Sequence, residues 1–333
     1  MKRRNFLKKS MQAGVVASIP LPISAFEFKT PEKLQIGIVA DVHQDIIHDG
    51  YARLRFFMDD MKKREPDFII QMGDFSLPRS QNQPFLDIWN EFEGPAYHVL
   101  GNHDMRDFGF TREQTMAWWK MKERYYSFDQ GDFHFIVLDG NDKNPAPWSG
   151  YDRYIDTEQK EWLKEDLKNT SKPTVVFIHQ SLEADSGIAN KEEIRAIFEE
   201  AKLLKKSKSK SKVIACLCGH HHTDYVKEIN GIPYIQINSM SYKWVGETFR
   251  KQRFAPHIEN AYPDVKNTCP YRDPLYTVLT LDSQEGKLHI EGRETQFIAP
   301  TPHEIGIPDA DTIPMTMRHS MDPTITERNL TFG

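Results

Sequence analysis

Five short apolar runs in this chain each stop at an aspartate, asparagine or histidine, and no other feature of the sequence limits the fold as much. Leu34–Ala40 runs into Asp41-Val42-His43, Phe68–Met72 into Gly73-Asp74, and Ala96–Leu100 into Gly101-Asn102-His103-Asp104. Thr174–Ile178 stops at His179, and Val213–Cys218 stops at Gly219-His220-His221-His222. Short runs of this kind fit buried strands. Between them lie segments of helical spacing. Tyr51–Lys63 returns Leu54, Phe57, Met58 and Met61 to one side, and Pro84–Phe92, Thr111–Met121, Asp156–Thr170 and Lys191–Leu204 read as helices too. Thr111 is placed to cap its helix, and Trp162, Leu163 and Leu167 form an inward stripe on another.

Later the punctuation changes. Gln130-Gly131-Asp132, Asn230-Gly231 and Gln284-Glu285-Gly286 each sit between extended segments and predict hairpins. Helices alternating with strands early, and hairpins late, predict an α/β core of layered sheets with helices outside. Beyond Ile298 the chain turns proline-rich and loses periodicity, so residues 299–333 are expected to form an irregular tail lying on a single domain of residues 31–298.

In open α/β sheets ligands bind beyond the carboxyl ends of strands, where these polar residues fall. Residues two apart in an extended segment share a face, so Asp41 and His43 can address one ion together. The triplet His220-His221-His222 taken alone suits either a metal site or an exposed polar turn. The same alternation puts His220 and His222 on one side and His221 on the other. Cys216 and Cys218 lack the paired C-x-x-C spacing of a thiolate zinc site and read as core, and the odd count with Cys269 describes no disulfide framework.

The N-terminus is a separate unit. Arg3-Arg4-Asn5-Phe6-Leu7-Lys8 precedes a weakly hydrophobic stretch, Met11–Phe26, too short and proline-interrupted to span a membrane stably. It resembles a twin-arginine export signal, with Ile23-Ser24-Ala25 as a cleavage site. Such a signal in residues 1–30 implies the export machinery as a partner and a periplasmic or extracellular destination for the rest of the chain. Removal of the leader's five cations takes the formal charge from −5 to −10. A surface that acidic does not suggest binding to nucleic acid polymers, despite the lysine–serine run from Lys205 to Lys212, which reads as a solvated loop.

The ordered set D-x-H, G-D, G-N-H-D, H and G-H-x-H, spread over Leu34 to Leu281, resembles the signature of calcineurin-like metallophosphoesterases. The resemblance implies a four-layer αββα fold with a two-metal centre at the strand ends. One ion would be held by Asp41, His43, Asp74 and His222, and the other by Asp74, Asn102, His179 and His220. A carboxylate at Asp74 suits the bridging position between two cations about 3.5 Å apart, because negative charge there reduces their repulsion. Neutral asparagine and imidazole donors suit divalent or trivalent Mn, Fe, Zn or Co better than Mg or Ca. Water bridging such ions is acidified from a pKa near 15.7 towards about 7 and becomes an in-line nucleophile. By analogy His103 would donate a proton to the leaving oxygen, with Asp104 fixing its tautomer.

Phe75-Ser76-Leu77-Pro78 lacks the tyrosine ligand of purple acid phosphatases, and the pattern is similar to class III cyclic-nucleotide phosphodiesterases and Mn-dependent nucleotide diphosphatases. The expected substrates are small phosphate esters, diesters or nucleotide-type diphosphates ahead of monoesters. The competing readings are a broad phosphomonoesterase for phosphate scavenging and a non-catalytic, metal-stabilised binding module. Asp45 and His48 are placed at the pocket rim. Tyr242, Lys243 and Trp244 either meet base, sugar and phosphate or pack the tail.

Overall fold

The computed structural model describes residues 33–105, 109–145, 147–148, 150–201, 213–307 and 321–332. The arginine leader, and residues 205–212 of the lysine–serine run, lie outside them. The first half of the fold runs β1 (Lys33–Val39), α1 (Gly50–Arg64), β2 (Phe68–Gln71), α2 (Gln83–Trp89), β3 (Ala96–His98), α3 (Arg112–Trp119), β4 (Tyr126–Gln130), β5 (Phe133–Val137), α4 (Thr157–Asn169), β6 (Thr174–Ile178) and α5 (Lys191–Ala201). Then come β7 (Val213–Cys218), β8 (Tyr225–Ile229), β9 (Ile232–Gln236), β10 (Tyr242–Trp244), α6 (Pro256–Ala261), β11 (Thr268–Pro270), β12 (Thr277–Asp282) and β13 (Lys287–Ile290), with β14 (Arg293–Glu294), β15 (Thr324–Ile325) and β16 (Arg328–Thr331) last.

Twelve strands form two six-stranded sheets, ordered β16-β13-β12-β1-β2-β3 and β4-β5-β6-β7-β9-β8, and β10–β11 and β14–β15 pair as separate ribbons. β1, β2 and β3 are mutually parallel in the first, as are β5, β6, β7 and β9 in the second. Their alternation builds three cores. Ile36, Ile38, Phe68 and Ile70 of one sheet meet Phe135, Val137, Val175, Phe177 and Leu217 of the other. The outward residues of the first sheet pack under α1 and α2 through Leu54, Phe57, Met61 and Phe85. Those of the second, Cys216 and Cys218 among them, pack under α4 and α5 through Leu163, Leu167, Ile194 and Phe198. This is the expected αββα order.

Local chemistry accounts for the element ends. Thr111 accepts from Gln114 N, whose side chain accepts from Thr111 N, and Asp156 accepts from Gln159 N at 2.8 Å. Asn230 and Gly231 both have positive φ, as a two-residue hairpin turn requires.

The C-terminal expectation needs correction. β16 pairs antiparallel with β13 as the edge of the first sheet, and Ile325, Leu330 and Phe332 pack on the core between the sheets. The domain therefore runs past residue 298. Two strands this short give too few alternations to stand out from the proline-rich chain before them. The β10–β11 ribbon and α6 are likewise too short for periodicity to reveal. No helix of the described residues is long and apolar enough to cross a membrane.

Candidate metal centre

The loops after β1, β2, β3, β6 and β7 meet at one end of the sandwich. Eight non-glycine residues among those described have positive φ, and five are Asp41 (50°), His43 (52°), Asp74 (52°), His220 (77°) and His222 (48°). The other three end helices or turn a hairpin. Left-handed backbone at such residues costs roughly 1–3 kcal/mol each and persists where the surroundings enforce it. Here Asp41 N, His43 N and Gln44 N donate to the carbonyls of Gly73, Asp74 and Phe75, which extends the β1–β2 pairing beyond the strands. Ser239 Oγ and Ser241 Oγ donate to the carbonyls of Asp41 and Val42. Side chains two apart thus converge through left-handed turns, not through the strand alternation expected from sequence. Gly219 is small for a steric reason: a Cβ there would lie 2.5 Å from Asp41 Oδ2.

Among the described residues, two groups place donor atoms within 4.8 Å of one another: Asp41, His43 and His222, and Asp74, His179 and His220. Within the first, Nε2 of His43 and Nε2 of His222 are 3.1 Å apart, and Asp41 Oδ1 lies 3.8 and 3.4 Å from them. Ligands about 2.1 Å from one ion stand about 3 to 4 Å apart, so the spacing fits a shared cation. Asp74 Oδ2 lies 3.1 Å from His179 Nε2 and 3.5 Å from His43 Nε2, between the two groups, while its Oδ1 accepts from His103 N at 2.8 Å.

Tautomers are set from behind. His222 Nδ1 donates to the Tyr242 carbonyl at 2.9 Å and His179 Nδ1 to that of Met72 at 2.8 Å, which turns each Nε2 lone pair inward. Burial, reinforced by neighbouring imidazoles, holds His43 and His220 well below the usual histidine range, hence neutral. At His179 burial pulls downward, but the carboxylates of Asp74 and Asp41 outweigh it and lift the ring to about 9, so the site attracts positive charge. Asn102 Oδ1 is buried without a hydrogen bond. A buried acceptor left unpaired costs about 1–3 kcal/mol, and a cation at the centre would satisfy it.

A cavity of about 400 Å³ opens on this floor, where four of the six donor residues, His43, Asp74, His220 and His222, line it together with Asn102, His103, Tyr151, His221, Tyr242 and Trp244. His103 lines it without joining either donor group, its ring edge-on to His43 at 5.3 Å. Asp104 does not orient that ring. Its buried carboxylate accepts from the backbone N–H groups of Asp74, Phe75 and Gly101 at 2.7–2.8 Å, tying the β2 and β3 turns together.

Of the expected rim residues, only two line the cavity. Asp45 instead accepts from Leu77 N and Asn82 Nδ2, His48 packs on Phe254, and Lys243 Nζ is buried, donating to the His222 carbonyl, with burial lowering it to about 8. Tyr242 is fully buried behind His43 and His222, and Trp244 is 43% exposed at the rim. Tyr151, which the sequence does not single out, hydrogen-bonds His220 Nε2 at 2.6 Å. No motif marks it, because its loop is distant in sequence from every donor. His221 turns aside to Ser181 Oγ at 2.9 Å, and His134 bridges Asp129 and Asp166 as a structural histidine.

A sandwich of this order with two adjoining cation groups at its strand ends defines a metal-dependent phosphoesterase class, and the calcineurin-like phosphoesterase family profile matches residues 34–224, so the chain belongs to that family. Its relatives include manganese-dependent ADP-ribose/CDP-alcohol diphosphatases. The one from Oryza sativa is 27% identical over 162 residues, 41% of this chain and 50% of the relative, so this match spans half of the relative's length. The one from Arabidopsis thaliana is 23% identical over 56% of this chain and 79% of its own. In three dimensions the chain is similar to a dimetal phosphatase from Danio rerio, with TM-score 0.56 and 14% identity over 80% of this chain and 98% of that one. It is also similar to GAP50, the anchor in the inner membrane complex of Plasmodium, with TM-score 0.50 and 14% identity over 90% and 89%.

Proposed function

We propose that the chain is a two-metal hydrolase of small phosphodiesters or nucleotide-type diphosphates. The observation that carries this reading is Asp74 Oδ2, which lies between two cation groups on the floor of a cavity large enough for a small ester. Asp41, His43, Asp74 and His222 would hold one ion, and Asp74, Asn102, His179 and His220 the other; manganese is proposed, following the relatives' names. Bound there, such ions supply Lewis acidity and an activated water. The protein's own part is to fix the imidazole lone pairs through Tyr242 and Met72, to keep Asp74 ionised, and to present the His103 ring as proton donor to the leaving oxygen. Trp244 offers an exposed face to a base or sugar.

The test is protein stripped of metal and reloaded with Mn, Fe, Zn or Co, assayed on ADP-ribose, bis-p-nitrophenyl phosphate and p-nitrophenyl phosphate. Turnover of the first two above the third supports the proposal. Monoester turnover above both points to a phosphomonoesterase, and inert protein carrying two ions to a binding module. Export by the twin-arginine route is proposed from Arg3-Arg4 and Phe6-Leu7-Lys8. An Arg3→Lys, Arg4→Lys variant that still reaches the medium or periplasm would sink it.

A further inference from the structure

A second cavity, of about 490 Å³, lies where the edge strands of the two sheets meet, bounded by β3, β4 and the ends of α2 and α3. Its walls are aromatic: Trp89, Trp119, Tyr97, Tyr126 and His98. Trp89 and Trp119 are buried, and each indole N–H lacks a hydrogen-bond acceptor. Lys120 and Lys122 stand exposed at the rim, with Glu123 as the opposing charge. Neither indole nitrogen opens into the cavity, so an occupant is held by flat aromatic walls and a net positive rim, and these match one chemistry. We propose that this cavity is an effector site for a planar aromatic molecule bearing a carboxylate or similar acceptor, and that its occupancy alters metal binding at the centre.

The path between the sites is short. His98 stacks on Trp119 with ring centroids 5.2 Å apart. Gln71 Nε2 lies 3.2 Å from His98 Nδ1, and Gln71 Oε1 accepts from Gly73 N at 2.6 Å, in the turn that carries Asp74. Phe75, on the far side of that turn, packs against Trp89 and Trp119 at 5.2 and 6.0 Å. An occupant that shifts Trp119 or His98 therefore moves side chains that touch the Gly73–Phe75 turn directly.

The experiment uses the full chain and 2-naphthoate as probe, followed through the indole N–H resonances, with Trp89→Phe and Trp119→Phe supplying assignments. Saturable ring-current shifts of these two among the six tryptophans are expected. The midpoint should weaken about fivefold in a Lys120→Glu, Lys122→Glu variant, whose changes are exposed and leave the fold intact. No saturable shift, or an unchanged midpoint in that variant, overturns the site. Ala96→Phe, which fills the cavity, should abolish the shifts. Saturating 2-naphthoate should also move the manganese titration midpoint of stripped protein by about fivefold, the low end of ordinary coupling; a fixed midpoint overturns the coupling. That arm rests on the metal reading, whereas the resonance shifts do not, so the two fail separately.

Discussion

The two halves of the centre share only the end of β7, one drawing otherwise on β1 and the other on β2 and β6, and the fold holds them differently. In the first, Asp41, His43 and His222 are all buried, Asp41 is pinned by Ser239 and by His220 N, and Tyr242 backs both imidazoles. The second shares that rigidity at Asp74 and His179, but its outer wall is His220, half-buried and steadied by Tyr151 from the loop before α4. One seat is therefore part of the core, and the other is completed by a loop facing the pocket. Loop-held ligands tolerate movement that core-held ones do not, so the second ion should be the weaker and more exchangeable.

The largest effect should come from the residue common to both seats. Asp74→Asn removes the charge between the groups, and metal analysis should show both ions lost with activity at background. If one ion stays at full affinity, Asp74 does not bridge. Next, His222→Ala should remove an ion and lower the melting temperature, since it also strips packing from Tyr242, whereas His220→Ala should remove an ion with little thermal cost. Equal melting shifts would erase the distinction between the seats. His103→Ala tests the cavity side of the same floor. Proton donation contributes about 10²- to 10⁴-fold, so kcat should fall by that order with both ions retained.

Much of this architecture is legible in the sequence, and the reasons are local. Strand and helix periodicity places every layer, and the six grouped donors are visible because each follows an apolar run. The torsions are not visible: Asp41, His43, His220 and His222 converge through left-handed turns enforced by contacts between distant segments. Asp104 misleads for a related cause, since its neighbour in sequence is His103 while two of its partners are the backbone groups of Asp74 and Phe75, far back along the chain. Tyr151, like the β16 edge strand, carries no spacing or composition that marks it, and its role exists only because a loop folds back onto His220.

Tyr151→Phe probes that loop with the ring kept and one hydroxyl removed. Partners that orient metal ligands typically contribute about 10- to 100-fold in metal affinity, and a partly buried loop contact belongs at the low end. A drop near tenfold for the second ion only, read by competition with a chelator, is expected. Loss at both seats would show that Tyr151 supports the whole floor.

The smallest effect belongs to His221, the middle of the triplet. Its Nε2 faces Ser181 Oγ, it joins neither donor group, and it touches the cavity only from the side. Truncating it removes that partly exposed hydrogen bond, worth about 0.5–1.5 kcal/mol of stability, and the edge-on contact of its ring with His220 at 4.9 Å. His221→Ala should therefore keep both ions and leave kcat within about twofold. The variant separates the two explanations of the turn: if left-handed torsions at His220 and His222 fix the geometry, the residue between them is replaceable. If His221→Ala releases an ion, the Ser181 contact is what holds the loop in register, and the flanking histidines owe their positions to the side chain between them.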